Sequence, residues 1–345
     1  MHEVIVVGAG VAGLQCARRL RSAGADVLVL DRADKPGGRC ATRWRGEQPF
    51  DYGPQFLHGF DPAFLASVAS VQAGRLEGWP RRIEGSGTPC QPDAFSPHQS
   101  RLAFAEGLHS FPRALADGLT VTLRCQVASL SVADGVVQVE SAAGDRFQSR
   151  DLVLALALEQ ALPLLRMLPA GSGLDGALAL LEMFTSSPCL TVAAGYRGGA
   201  GHAPSWDILY PEDEESILLV GHDSAKRPGA GSLVLVCQGS ARWSRMRFDA
   251  PKEDWTRELL GTFARRIGAW AAEPSWVHAH RWQYSRLDRA NELAAPLELS
   301  VGHSRIGVAG DLFAPGGGIQ AAWMSGDRLG ERLGPGLGGS GSGHR

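Results

Sequence analysis

The chain has 345 residues, of which 44% are hydrophobic and 20% are charged, a composition typical of a folded globular protein and unlike that of a disordered chain. This length exceeds what a single hydrophobic core usually supports, which predicts two lobes. A formal net charge of -2 gives no reason to expect a basic surface for phosphates, so a nucleic-acid partner is not expected. No apolar run approaches the roughly 20 residues that span a bilayer, so membrane insertion is not expected either.

Two further features bear on where the protein works. The six cysteines are scattered without Cys-x-x-Cys pairs, which predicts reduced thiols and neither a zinc site nor a redox dithiol. The first predicted strand begins at Glu3 or Val4, which leaves no room for the charged and apolar regions of a signal peptide. We therefore expect a cytoplasmic location.

The N-terminal residues have the pattern of a βαβ unit. Apolar runs at residues 4–7 and 27–30 predict two strands, and the helical pattern between them extends to Arg21 and ends at Gly24. GAGVAG at residues 8–13 matches G-x-G-x-x-G, and Asp31 closes the second strand. This context predicts a dinucleotide site in which the helix N-terminus binds the diphosphate and Asp31 binds a ribose. The residues predicted to contact the diphosphate are Gly8, Gly10, Val11, Ala12 and Gly13.

The βαβ unit alone does not distinguish NAD from FAD, but the next loop, PGGR at residues 36–39, does. Paired glycines allow close backbone approach to a ligand, and an arginine fork matches phosphate geometry. The loop resembles the GGR signature of the flavin-containing amine oxidase superfamily, where it lies along the pyrophosphate and ribityl chain of FAD. The resemblance implies FAD as cofactor, with Arg32, Gly37, Gly38 and Arg39 among its contacts.

Three other segments resemble the same superfamily. DYGPQF at residues 51–56 is similar to its D-x-G-A-Q-Y/F segment beside the flavin, with Pro54 where Ala is usual. Residues 151–157 resemble its strand that returns to the FAD lobe, with Leu156 and Ala157 in place of Thr-Pro. IGVAGD at residues 306–311 resembles its strand ending in Gly-Asp, after which a helix N-terminus faces the flavin O2/N1 locus. With Val127 of a predicted meander, the implied contacts are Asp51, Gly53, Pro54, Gln55, Phe56, Val127, Gly310, Asp311, Gly318, Ile319 and Ala322.

The remaining elements complete the first lobe with a meander and predict the second lobe. Alternating residues from 120 to 157 predict a β-meander, and apolar runs at 189–194, 217–220 and 233–237 predict a second sheet. A helix from Pro251 carries apolar residues on one face, which predicts that it packs on that sheet. These apolar residues are Trp255, Leu259, Phe263 and Ile267.

The pattern predicts an α/β fold with a Rossmann-like FAD-binding lobe, made of a parallel sheet plus β-meander, and a second α+β substrate lobe on a mixed or antiparallel sheet. The predicted FAD-binding domain is discontinuous, with residues 1–60, 101–158 and 296–333. The predicted substrate domain has residues 61–100 and 159–295. Residues 334–345 are rich in Gly and Ser and are expected to form a flexible tail.

Within the superfamily, RWSR at residues 242–245 and HRWQY at residues 280–284 resemble renalase-like flavoproteins. That resemblance implies oxidation of a small dihydronicotinamide-type substrate by hydride transfer to FAD, with molecular oxygen as acceptor. An NAD(P)-type molecule is thus a candidate substrate, whereas FAD performs the chemistry. Candidates for a substrate wall or for proton transfer are Trp206, His280, Trp282 and Tyr284.

The chain departs from classical amine oxidases at a lysine. Those enzymes commonly keep a lysine that holds a water at flavin N5, but here Lys35 is assigned to the phosphate loop, Lys226 to a Pro/Gly-rich turn and Lys252 to a helix start. None of the three is predicted at N5. The C-terminal flavin segment also has no cysteine for a thioether link, so we expect noncovalent FAD.

Alternatives stay open at this point. One is an amine oxidase or a desaturase of the same superfamily. Another is a flavin-binding redox sensor without turnover. An NAD-dependent dehydrogenase shares the first βαβ unit, although the second Gly-rich loop and the C-terminal Gly-Asp segment argue against it.

Overall fold

The computed structural model describes residues 1–87, 89, 92–169, 173–197, 199–212, 215–227, 229, 231–288 and 292–335. The predicted tail lies outside the described residues from position 336 onward, and so does Cys90. No helix in these ranges combines the length and the apolar composition needed to cross a bilayer. The described cysteines are buried thiols. They are Cys16, Cys40, Cys125, Cys189 and Cys237.

The helices are α1 (Val11–Ser22), α2 (Pro62–Ala69), α3 (Ser110–Ala116), α4 (Leu158–Leu165), α5 (Leu174–Leu181), α6 (Ala241–Arg247), α7 (Lys252–Ile267) and α8 (Gly318–Leu333). The strands are β1 (His2–Val7), β2 (Val27–Leu30), β3 (Thr42–Arg45), β4 (Gln48–Asp51), β5 (Leu57–Gly59), β6 (Arg75–Glu77), β7 (Ile83–Glu84), β8 (Ser100–Phe104), β9 (Thr120–Thr122), β10 (Val127–Ala133), β11 (Val136–Ser141), β12 (Arg146–Leu154), β13 (Ser186–Arg197), β14 (Ile208–Leu209), β15 (Ile217–His222), β16 (Ser232–Gly239), β17 (Trp276–Leu287), β18 (Leu297–Val301) and β19 (Ser304–Val308).

The chain folds into two compact units. The first contains Met1–Gly38, Phe111–Ser186 and the chain from Leu287 onward, and the second contains Arg39–Ser110 and Ser187–Arg286. These bounds differ from the predicted domain boundaries. Residues 39–60 belong to the second unit, where Phe50 and Tyr52 pack against its sheet. Residues 159–186 belong to the first unit, where the leucines of α4 and α5 join its core. The assignment of the units to cofactor and substrate stays a prediction.

The first unit is built on a sheet with the order β10-β11-β12-β1-β2-β9. β1 lies between β12 and β2, parallel to both, and its apolar run is buried on both faces as expected for the centre of a parallel sheet. The long strand β12 has two kinds of partner. Its first half pairs antiparallel with β11, whereas its last residues pair parallel with β19. The predicted Rossmann-like lobe with a meander is confirmed.

One detail of the meander prediction was wrong. The meander consists of β10, β11 and the first half of β12, whereas β9 pairs in parallel with β2 at the sheet edge. The backbone turns between β9 and β10, where Arg124 has a φ of 57°. Three alternating residues have the same pattern in either kind of pairing, so the sequence did not separate them.

Close helix packing joins the two ends of the chain in the first unit. A Cβ atom at Gly326 of α8 would lie 2.1 Å from the carbonyl oxygen of Ala12 in α1, and one at Gly330 would lie 2.6 Å from Cβ of Arg19. A Cβ at Gly334 would lie 3.4 Å from Cβ of Ala23. The helices therefore run in the same direction with their backbones in contact, which only glycine permits at the closest point.

The second unit contains a sheet with the order β17-β13-β16-β15-β14-β7. The pairs β13–β16, β15–β16 and β14–β15 are antiparallel and β14–β7 is parallel, which confirms a mixed sheet. α7 buries Trp255, Leu259 and Phe263 in the core with this sheet, as its amphipathic pattern predicted, while Ile267 at its end is only partly buried. β3 and β4 form a hairpin, and β8 pairs with both β5 and β6.

We expect Gly326→Ala to destabilise the protein by about 1–3 kcal/mol, because the new Cβ forces α1 and α8 apart. The matched control is Gly261→Ala in α7, which has the same length of 16 residues as α8. Among the described residues, a Cβ at Gly261 meets only the end of the Arg265 side chain, at 3.9 Å. This control should gain up to about 1 kcal/mol from helix propensity. Urea unfolding of both variants measures the difference, and equal midpoints would contradict the packing argument.

Candidate functional site

The turn between β1 and α1 has the backbone geometry of a dinucleotide-binding turn. Gly8 has a φ of 112°, and a Cβ there would lie 2.3 Å from the carbonyl oxygen of Ala155. A Cβ at Gly13 would lie 2.0 Å from the carbonyl oxygen of Gly8. At Gly10, in contrast, no atom of the described residues lies within 4 Å of a Cβ position. Packing thus requires two of the glycines, while the third borders open space that a phosphate can enter.

The α1 N-terminus beside this open space can bind an anion. Gly10 is the N-cap residue and has no side chain to cap the helix, so the first-turn N–H groups are available to a ligand. Val11 and Ala12 supply two of these groups. The Asp31 carboxylate accepts hydrogen bonds from the backbone N–H of Ala9 (2.6 Å) and of Ala33 (2.8 Å). Two bonds leave acceptor capacity on a carboxylate, so the geometry is compatible with the predicted ribose contact.

The second Gly-rich loop lies beside the first. The N–H of Gly37 donates to the carbonyl oxygen of Ala9 at 2.8 Å, and a Cβ at Gly38 would lie 3.4 Å from Cα of Gly10. Both glycines have positive φ values, 132° and 56°. The glycine turn of residues 8–13 and the loop at Gly37 and Gly38 are thus adjacent in the first unit. Arg32, which lies between them in the sequence, is exposed.

The predicted C-terminal contacts lie at the entrance of α8. Gly317 is the N-cap residue and again has no side chain to act as a cap. The preceding strand end is fixed because the N–H of Gly310 donates to the hydroxyl of Ser325 at 3.1 Å. Since α8 runs parallel to α1, both N-termini point to the same end of the first unit. Other predicted contacts near this entrance are Asp311, Gly318, Ile319 and Ala322. Val127 instead begins β10 and packs against the core of the unit.

The remaining predicted cofactor contacts lie together in the second unit. A Cβ at Gly53 would lie 2.2 Å from the carbonyl oxygen of Arg39, whose guanidinium group donates to the carbonyl oxygen of Ser285 at 3.2 Å. The side-chain amide of Gln55 donates to the carbonyl oxygens of Asp51 (2.9 Å) and Gly53 (3.2 Å). Pro54 and Phe56 belong to the same segment. Apart from Val127, the predicted cofactor contacts therefore form one cluster within each unit.

An aromatic face, defined as Tyr52, His278, His280 and Trp282, lies in the second unit. The Tyr52 ring stacks on Trp282 with centroids 5.3 Å apart and planes at 21°. The rings of His278 and His280 each lie 5.0 Å from Tyr52. The indole N–H of Trp282 donates to the carbonyl oxygen of Tyr52 at 3.0 Å, which holds the stack in place.

Two of the four predicted catalytic candidates, His280 and Trp282, meet in this face. Tyr284 follows on the same side of β17 by strand alternation. Trp206 does not join them: it is buried in a separate hydrophobic core with Leu209, and its ring packs edge-on against His222. Its position is that of a core residue. Sequence reasoning missed His278, although the two-residue spacing from His280 on a strand could have indicated it.

Both histidines of the aromatic face are neutral over most of the pH range. Burial, and next the positive charge of Arg43, lower the pKa of His278 from 6.5 to about 4. The same two causes, in the same order, lower the pKa of His280 to about 4. Lys252 adds a smaller effect at each imidazole. Arg43 also lies 5.6 Å from the centre of the Tyr52 ring, a cation–π contact.

Sequence reasoning also missed a buried group of charges in the second unit. Lys226, which was assigned to a Pro/Gly-rich turn, is fully buried between the carboxylates of Asp51 and Asp223. No sequence pattern marks this placement, because the partners are 175 and 3 residues away. Within the described ranges, no three His, Cys, Asp or Glu side chains lie close enough to hold a metal ion.

Comparison with known families gives two matches along the chain. A model described as NAD(P)-binding Rossmann-like domain matches residues 6–69. A model described as flavin containing amine oxidoreductase matches residues 60–333. Together they cover the elements of both units.

The chain is also similar to individual proteins, both in sequence and in fold. A phytoene desaturase (lycopene-forming) of Pseudescherichia vulneris is 38% identical over 84 residues, which are 24% of this chain and only 16% of that relative. Among solved structures, a triple mutant of putrescine oxidase has a TM-score of 0.72 at 15% identity, covering 96% of this chain and 98% of that one. Cyclohexylamine oxidase from Brevibacterium oxydans IH-35A has a TM-score of 0.70 at 14% identity, covering 96% and 99%. At these identities, the structures establish a shared fold.

The lowered histidine pKa values predict a pH-dependent stability. Between pH values of about 4 and 6.5, the unfolded chain binds more protons than the folded protein at His278 and His280. The free energy of unfolding should therefore fall as the pH is lowered through this window. In the double variant His278→Gln/His280→Gln, the slope of Tm against pH should be shallower there. His303→Gln, at an exposed histidine of the first unit, is the control. An unchanged slope in the double variant would contradict the assignment.

Proposed function

Since the chain belongs to the flavin-containing amine oxidoreductase family, we propose that it is an FAD-dependent oxidoreductase that takes a hydride from a small substrate. We further propose a renalase-like reaction, in which the substrate is a dihydronicotinamide-type compound and molecular oxygen is the electron acceptor. The family match supports the first part. The second part depends on the aromatic face and on the charges around it.

The proposed FAD contacts are those of the two clusters. The open space at Gly10 and the uncapped N-terminus of α1 suit the diphosphate, and Asp31 suits a ribose. The N-terminus of α8 suits a group that gains negative charge on reduction. Residues 306–323 contain no cysteine, which supports noncovalent binding. When bound, FAD supplies the hydride acceptor, and the protein supplies binding and orientation.

The aromatic face carries the substrate proposal. The partly exposed indole ring of Trp282, held in place by its stacking on Tyr52, offers a flat surface for a planar dihydropyridine ring. The neutral imidazoles of His278 and His280 can donate or accept a hydrogen bond without adding positive charge. The positive charges of Arg43 and Lys252 both lower the pKa values of the two imidazoles, so both cations act on this face. Their charge favours a substrate with a phosphate group over a cationic amine.

Amine oxidation is a second candidate. A guanidinium group already lies 5.6 Å from the centre of the Tyr52 ring, and the partly exposed indole ring of Trp282 is an aromatic partner of the same kind for an ammonium group. The putrescine oxidase and cyclohexylamine oxidase structures share the fold, and their names describe enzymes that act on amines. The phytoene desaturase match raises desaturation as a variant of this candidate.

The cofactor proposal predicts that the purified protein is yellow and releases FAD on denaturation. Gly10→Glu should weaken FAD binding by at least about 100-fold, because a carboxylate beside the diphosphate costs several kcal/mol. The Tm of the apoprotein should stay unchanged, because no described atom lies near the new Cβ. Fluorescence titration of the apoprotein with FAD measures the affinity, with Gly261→Ala as the control. A wild-type protein that stays colourless in excess FAD would contradict the cofactor assignment.

The substrate proposal predicts rapid anaerobic bleaching of the flavin by dihydronicotinamide mononucleotide isomers and recovery of the colour with oxygen. Arg43→Gln should raise the half-saturating concentration of the mononucleotide about two- to fivefold, which corresponds to the loss of an exposed ion pair of up to about 1 kcal/mol. The corresponding riboside, which lacks the phosphate, should be unaffected. Arg146→Gln, at an exposed position of the first unit, is the control. Bleaching by putrescine or cyclohexylamine alone would select the second candidate, and no bleaching at all would favour a redox sensor.

A further inference from the structure

Lys226 is the most deeply buried cation of the second unit, and its surroundings are unusual for a lysine. Its side chain is fully buried, as are those of its partners Asp51 and Asp223. The ammonium nitrogen lies 2.8 Å from Oδ2 of Asp51 and 2.9 Å from Oδ1 of Asp223. The indole ring of Trp79 lies 4.7 Å away on another side. Lysine is almost never fully buried unless it is paired, and here it bridges two carboxylates.

A second cation completes the charge balance of this group. The guanidinium group of Arg227 forms an ion pair with Asp223 and lies 3.8 Å from Oδ2 of Asp51. Its Nε donates to the carbonyl oxygen of Ala105 at 2.7 Å. Burial would raise the pKa of Asp223, but Lys226 and Arg227 together lower it below the ordinary range. Two anions therefore face two cations, and the loss of one cation leaves a buried negative charge.

These charges hold the backbone at Asp51 from several sides. The N–H of Asp51 donates to the Asp223 carboxylate at 3.2 Å, and the Asp51 carboxylate accepts from the N–H of Leu108 at 2.9 Å. The carbonyl oxygen of Asp51 accepts from the Gln55 side chain. Lys226 touches both carboxylates that make these contacts, so its removal takes one hydrogen-bond donor from each of them. The hydroxyl of Thr42 and the N–H of Leu108 still donate to Asp51, and Arg227 still faces both carboxylates.

A separate chain of hydrogen bonds holds the next turn of the same segment. The amide of Gln238 donates to the carbonyl oxygen of Gly53 at 2.6 Å, and Arg286 donates to the oxygen of that amide at 2.7 Å. Residues 51–55 are thus attached at one end to a charged group and at the other to β16. At the charged end, Lys226 is hydrogen-bonded to both carboxylates, whereas Arg227 pairs with Asp223 and lies 3.8 Å from Asp51.

We propose that Lys226 is a positioning residue whose ammonium group bridges Asp51 and Asp223 and so fixes the backbone of residues 51–55. This segment carries Pro54, a partly exposed residue that the proposed function assigns to FAD binding, and in that respect the inference depends on that function. Lys226 acts through these residues and needs no contact with the cofactor. An error of about 1 Å in the position of binding groups costs up to about 100-fold in the function of a site, so this rigidity has a functional effect.

Three full-length variants test the inference. Lys226→Met removes the bridge and leaves a net negative charge. Asp223→Asn/Lys226→Met removes the bridge but restores neutrality, because Asp51 then faces Arg227 alone, and Asn keeps an acceptor for the Asp51 N–H. Arg166→Met removes an exposed ion pair of similar length, 2.7 Å to Glu182 in the first unit, and is the control.

Two measurements separate positioning from overall stability. Hydrogen exchange is followed in peptides that cover residues 39–56 and in peptides of β1, with and without FAD, and FAD affinity is measured by titration. Compared with the wild type, we expect Lys226→Met to have a lower unfolding midpoint. Hydrogen exchange in residues 51–55 should be at least about tenfold faster, and FAD binding should be about tenfold weaker. The double variant should recover most of the unfolding midpoint while residues 51–55 and FAD affinity stay impaired. Arg166→Met should match the wild type.

If the double variant regains both the midpoint and the wild-type exchange and affinity, Lys226 serves only charge balance and the inference is wrong. If exchange at residues 51–55 does not change in either Lys226 variant, the inference is also wrong. If the wild type binds no FAD, the proposed function fails, and exchange in the apoprotein still tests whether Lys226 positions the segment.

Discussion

The contact between α1 and α8 constrains the first unit more than any other interaction. The carbonyl oxygen of Ala12 and the backbone of Gly326 are so close that no side chain fits between them. This contact makes the first and last helices parallel neighbours, and it gives both uncapped N-termini the same direction. Positive ends of two helix dipoles then point to one end of the sheet, where anionic groups of a ligand are stabilised.

In the second unit, the candidate functional groups are side chains positioned by a mixed sheet, rather than the N-termini of helices. The hairpin β3–β4 delivers Tyr52 to the imidazoles of β17, and the buried ammonium group of Lys226 holds Asp51 at the end of β4. Packing alone would keep these segments together. The ion pairs and hydrogen bonds add direction, because each fixes a specific backbone atom rather than an area of apolar surface.

The sequence predicted those parts of the fold that depend on local pattern. The strand at residues 27–30 was predicted with its exact bounds, and α7 buries three of its four predicted apolar residues. The glycine turn was equally clear, because Gly8, Gly10 and Gly13 are close in sequence. Backbone packing requires Gly8 and Gly13, while Gly10 borders open space. The predicted renalase-like specificity stays a prediction, since family and fold matches reach only the level of flavin-containing amine oxidoreductases. The incorrect predictions concern residues whose partners are distant in the sequence. β9 could pair with β2 or with the meander, and Lys226 has the sequence neighbours of an exposed turn.

The double partnership of β12 has a consequence for how the chain folds. Its last residues need β19 as their parallel neighbour, and β19 is about 150 residues further along the chain, after the whole of the second unit. The parallel sheet of the first unit can therefore be completed only after β19, which ends at Val308, has been synthesised. Contacts of such high sequence separation slow folding, and an unpaired edge is exposed meanwhile. The second unit, whose last segment ends at Arg286, has all its strands available earlier and is in a position to fold first on the ribosome.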